Sequence, residues 1–253
     1  MKKFCVLFKY EIHKLLVSPS TYFIAAIFTA ILALIYVFTL REFIVNDQDF
    51  TFVHAFLRHC WIPILLGVPL LTMRTFSEDY KTGTMQSVKT IAIGDFSIVS
   101  AKFLATYLFY ATLWASSLLL VFFPPMSIPT IMQGGSFLAT FNLVGGYFYI
   151  LLSGLMFISM SIFFSSLTEN QILSGSLAFI AIFATFLSGP IFSSKILSSG
   201  TFMDHAFVRP LNIFHQMDNA CLGVFDTRII VLYITLSLLF LAFTKVSLEK
   251  KFS

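Results

Sequence analysis

The chain has 253 residues, 58% of them hydrophobic, 17% aromatic and 11% charged, with a net charge of +4. Soluble domains carry about 25% charged residues, and the mean hydropathy here is +0.89, so an ordinary water-soluble domain is excluded. Several apolar runs reach the ~20 residues that a bilayer crossing needs, and the expected fold is an all-α integral membrane protein with six transmembrane helices.

Residues 1–20 are too interrupted by Lys9, Glu11, His13 and Lys14 to form a signal peptide. Phe4, Phe8, Ile12 and Leu15 recur at helical spacing, which predicts an amphipathic interfacial helix; a plain juxtamembrane extension is the alternative. Ser18-Pro19-Ser20 ends it. Span one is expected over Thr21–Leu40, followed by a mixed-charge loop, 41–58. Span two, His59–Met73, is short and holds Pro63, Gly67 and Pro69, so a kinked or partly unwound helix is expected.

Span three is expected over Phe103–Phe123, span four over Phe137–Ser165 and span five over Gln171–Gly189. Thr168 and Gln171 have capping-box spacing at the start of span five. Ser174, Gly175 and Ala178 give that helix a small-residue face, suited to an oligomer contact or to a contact within the chain. Residues 190–227 mix charged and apolar residues and read as a re-entrant or interfacial segment before span six, Arg228–Thr244.

Six spans put both termini on one side. Eleven Lys and Arg fall on that side and five (Arg41, Arg58, Lys195, Arg209 and Arg228) on the other. The positive-inside rule then places the termini in the cytoplasm. Cys60 and Cys221 both fall on the outer side, and whether they are bridged stays open.

The polar stretch 74–102, RTFSEDYKTGTMQSVKTIAIGDFSIVSAK, stands between two apolar segments. Gly83 is expected to break or cap a first short helix, and Thr84 to begin a second with Met85, Val88 and Ala92 near one face. Another break falls at Gly94-Asp95, after which Phe96, Val99 and Phe103 lead into span three. A solvated linker is the competing reading. Arg74 stands where it can reach lipid phosphates.

The spans drawn this way carry essentially no charge away from their ends. That disfavours an ion-coupled transporter, which places ionisable groups in mid-membrane, and an intramembrane hydrolase, which needs a nucleophile or metal with a positioned base. Gly-Lys occurs nowhere, so no glycine-rich phosphate loop is present. No cofactor, metal or nucleic-acid site is expected; His54, His59, His205 and His215 read as loop histidines.

Three blocks of sequence resemble the permeases of type-two ABC exporters, in their gliding-motility and nitrous-oxide-reductase-maturation branch. In the first, Met73, Arg74, Glu78, Asp79, Lys81, Gly83, Thr84, Thr90, Asp95, Val99 and Lys102 fit the family's pattern; Gln86, Ala92 and Ala101 stand where it usually has Glu, Pro and Gly. The second is the loop SSLTENQ, Ser165–Gln171. In the third, Gly223, Val224, Asp226, Arg228, Tyr233, Leu248 and Glu249 match the closing pattern.

The resemblance implies a non-enzymatic half-transporter in a bacterial inner membrane, with both termini cytoplasmic. Its partners would be separate ABC ATPase subunits, a second permease copy or paralogue, and membrane lipid. The residues expected to couple to the ATPase are Glu78, Asp79, Lys81, Gly83, Thr84 and Gln86, with Glu169 from the second cytoplasmic loop. The alternative is a membrane scaffold or mechanotransmission subunit that moves a partner protein and no solute.

Overall fold

The computed structural model describes residues 2–45, 52–86, 94–122, 140–196, 212–224 and 226–252. Among them every regular element is helical: α1 Lys2–Val17, α2 Pro19–Val45, α3 Phe52–His59, α4 Trp61–Thr72, α5 Ser77–Thr82, α6 Asp95–Phe122, α7 Thr140–Leu167, α8 Gln171–Ile196, α9 Ile213–Cys221 and α10 Thr227–Phe252. Five helices are long and apolar enough to cross a bilayer, or six if the bent pair of α3 with the segment from Trp61 counts as one span.

The bend of 41° falls at Cys60. Pro63 explains its place: it lacks the N–H that would bond to the His59 carbonyl, and its ring crowds that carbonyl, so the helix stops and restarts with Pro63 in the new first turn. The kink expected in span two is therefore a break just ahead of its first proline. Pro19 works the same way, as the first residue of α2 directly after α1.

At the centre lies α7, with 72% of its apolar span buried against 22–39% for the other four long helices. It packs against α3, α4, α5, α6, α8, α9 and α10. Its glycines let neighbours approach closely. A Cβ on Gly146 would lie 2.3 Å from Leu57 Cδ1, and one on Gly154 would lie 2.4 Å from the Tyr110 ring. The small face of α8 serves a contact within the chain, because Ser174 and Ala178 are buried and Gly175 lies against Met73.

Three local expectations are corrected. Asn170, not Thr168, caps α8, accepting from the Ile172 N–H at 3.0 Å. The span-three helix starts at Asp95, not Phe103, so Lys102 lies in its eighth position, within the helix and not ahead of it. On α1 the most buried residues are Leu7 and Glu11 rather than the Phe4–Leu15 stripe. Val88, Ala92, His205 and much of the segment before α10 lie outside the described residues; within that segment α9 is described.

Candidate functional site

Lys102 is 2% exposed and faces the core beside Ile98, Val99, Ala105 and Thr106, which are its neighbours on one side of α6. An ammonium has three protons and no other way to be satisfied, and all three find acceptors. They are Glu11 Oε1 at 2.8 Å, the Thr75 carbonyl at 3.0 Å and Asp79 Oδ2. The ammonium also stands 5.3 Å from the centre of the Phe76 ring. Lys14 reaches the other oxygen of Asp79, and Thr84 Oγ1 donates to it at 3.3 Å.

Glu11 and Lys14 belong to α1, Asp79 to α5 and Lys102 to α6, so a charge-neutral quartet clasps three elements far apart in sequence. Buried charges persist only when paired and hydrogen-bonded. Asp79 is 7% exposed and faces inward, so in the isolated chain it is not placed as a surface contact.

A second tie holds α5 to the central helix. The Phe76 and Ser77 N–H groups open α5, and at a helix start such groups lack partners within the helix. Ser165 Oγ, near the end of α7, accepts from them at 3.1 and 3.4 Å. A third tie comes from α10, where Lys251 pairs with Glu169 at 2.9 Å and lies 3.8 Å from the Tyr80 ring. This brings the loop 168–170 beside α5.

The other end of α5 closes as the sequence predicts. Gly83 adopts φ +71°, in the left-handed region that a Cβ disfavours, and its N–H bonds to the Tyr80 carbonyl at 3.2 Å. Beyond it Met85 is buried, while Lys81, Gly83, Thr84 and Gln86 are exposed and Glu78 is half-buried. Of the seven residues singled out for coupling, five (Lys81, Gly83, Thr84, Gln86 and Glu169) are on the surface at this end.

Sequence reading passed over Glu11, Lys14, Lys102 and Ser165 as site residues. A signal was available: Lys102 has apolar or small residues at three and four positions on either side, and Glu11 follows Leu7 by one turn. A lone charge on the core face of each of two helices, with opposite signs, marks a buried pair.

At the other end of the bundle a different polar cluster joins α7, α9 and α10. The hydroxyls of Tyr149 and Tyr233 lie 2.8 Å apart, each within 3.1 Å of Gln216 Oε1, and Tyr149 also reaches the Ile213 carbonyl at 3.2 Å. His54 of α3 meets Asp218 of α9 at 3.1 Å. Cys60 and Cys221 are both buried free thiols. Burial, with Asp218 adding to it, pushes the Cys221 thiol up to about 12, which keeps it in the unreactive protonated form.

No protein family, curated protein or solved structure matches this chain.

Proposed function

We propose that the chain is the permease subunit of an ATP-driven ABC exporter, worked by separate ATPase subunits that press on α5 and the turn after it. The carrying observation is that α5 and the turn after it have two unlike sides. One presents Lys81, Gly83, Thr84 and Gln86 to solvent. The other is locked to α1 and α6 through Asp79, to α7 through Ser165 and to α10 through Lys251 beside Tyr80.

Force applied to the exposed side therefore reaches four helices through short, satisfied contacts. Rigid coupling of this kind moves packed elements between discrete arrangements instead of dissipating in a loop. In this reading Asp79 is the lever's anchor, while Lys81, Thr84, Gln86 and Glu169 meet the ATPase. The end carrying α1, α5 and the C-terminus faces the cytoplasm, as the Lys and Arg bias requires. The close packing around Gly146 and Gly154 favours a pathway between two copies over one through a single chain.

The test is co-purification of the tagged chain, to identify its ATPase, followed by reconstitution with that ATPase. Lys81→Glu with Gln86→Ala should lower permease-stimulated ATP hydrolysis several-fold while membrane insertion stays normal. Unchanged stimulation would reject the assignment. Full stimulation without passage of any candidate lipid or polysaccharide into vesicles would favour the mechanotransmission role.

A further inference from the structure

The geometry points to a phosphate-binding site for an anionic lipid headgroup between α1, α2 and the turn 73–76, centred on Arg74. Arg74 follows α4 immediately, and its Nε is buried without a hydrogen-bond partner. Among the described residues its guanidinium makes no ion pair. A buried guanidinium N–H left without an acceptor is costly, and the natural complement of the planar fork of the half-buried Arg74 is a phosphate or carboxylate.

Space for that complement exists. Arg74 lines a cavity of about 120 Å³, roughly ten times the ~10–15 Å³ that one ordered water needs. The neighbouring cations are already engaged: Lys14 holds Asp79, and Lys102 holds Asp79 and Glu11. Opposite them stand Ser18, Ser20 and Thr21, at the start of the apolar span of α2. The Ser18 and Ser20 hydroxyls lie 2.7 Å apart and, among the described residues, bond only to each other, so either can turn to donate to an incoming oxygen.

The surroundings select a lipid over a soluble ion. Val17, Tyr22 and Phe23 are 63%, 62% and 68% exposed on the flanking turns, an apolar surface along which acyl chains can lie. The position, at the boundary of a 24-residue apolar span, is where headgroup phosphates lie. Two carboxylates line the cavity: Glu11 is paired with Lys102, while Glu78 makes no ion pair among the described residues and can compete for Arg74. This inference does not depend on a transport role.

The experiment uses the full chain purified in a neutral detergent. It measures retention of dioleoylphosphatidylglycerol against dioleoylphosphatidylcholine by native mass spectrometry, with inorganic phosphate as a separate arm. The wild-type chain should retain the anionic lipid selectively. Arg74→Gln should weaken retention about tenfold or more, the worth of one hydrogen bond to a charged group. Glu78→Gln should strengthen it by removing the competitor.

Phosphate that displaces the lipid would confirm that the headgroup phosphate is the recognised group. Binding of phosphate with no lipid preference would overturn the lipid assignment. Equal retention by wild type and Arg74→Gln, or no selectivity in the wild type, would overturn the site. Should Arg74→Gln fail to fold, Glu78→Gln decides, and unchanged retention there sinks the proposal.

Discussion

The two ends of the bundle solve the same problem with different chemistry. Tyr149 and Ser165 lie sixteen residues apart on α7, about 24 Å at the helical rise, and each marks a buried polar cluster. Near Ser165 the cluster is ionic, two carboxylates with two ammoniums, and it ties the short α5 to α1 and α6. Near Tyr149 it joins helices already packed on the core through two phenols and an amide. The neutral set fine-tunes packing that apolar burial already provides. The ionic set helps to hold α5, which is six residues long, far below the length at which a helix stands alone.

The sharpest way to break this contrast is to remove one charge. Lys102→Met leaves Glu11 buried without a cation and Asp79 with Lys14 alone. The expected loss is about 3–5 kcal/mol, seen as a large fall in thermal unfolding temperature in detergent and as early protease cleavage near residues 77–86. Tyr233→Phe at the other end removes one neutral donor and should cost about 1 kcal/mol. Equal effects would mean that the quartet is no more than a decoration. Replacing Glu11, Asp79 and Lys102 together by apolar residues should recover much of the stability; if the chain is worked by an ATPase as proposed, the same variant should weaken that coupling.

Next in size is Ser165→Ala. It strands the Phe76 and Ser77 N–H groups, both on fully buried residues, at an expected cost of about 1–3 kcal/mol. Hydrogen exchange would localise the effect to the start of α5, leaving amides around Tyr149 unchanged. Gly83→Ala at the far end of α5 should cost about 1–2 kcal/mol, because φ +71° forces a Cβ into the left-handed region.

How much of this was readable in advance differs between the same two ends. Helix positions were legible wherever a long uncharged run met a breaker: span five was expected from Gln171, and α8 begins there, although it runs through Pro190 to Ile196 instead of stopping at Gly189. Gly83 was legible as a helix terminator because its chemistry is local. The quartet was not, since each member has an ordinary local explanation. Lys102 sat at a presumed membrane boundary, Lys14 on a basic terminus, and Asp79 in an acidic pair. Only the folded chain brings positions 11, 14, 79 and 102 together. Of Phe96, Val99 and Phe103, the apolar positions leading into span three, Val99 and Phe103 are buried and Phe96 is 54% exposed, while Ile98 and Lys102 also turn inward, because a lipid-facing helix is apolar on both sides and its period no longer marks the core.

The smallest expected effect separates stability from coupling. The Lys251–Glu169 pair is exposed, with 66% of the Glu169 side chain open to solvent, so solvent and salt screen it and Glu169→Gln should change stability by less than about 1 kcal/mol. Raising the ionic strength should reproduce that small change in the wild-type chain and leave the buried quartet intact. If Glu169 meets the ATPase, the same substitution should lower stimulated hydrolysis by far more than its effect on unfolding. A loss of stimulation matched by an equal loss of stability would assign Glu169 to holding α10 against α5 and remove it from the docking surface.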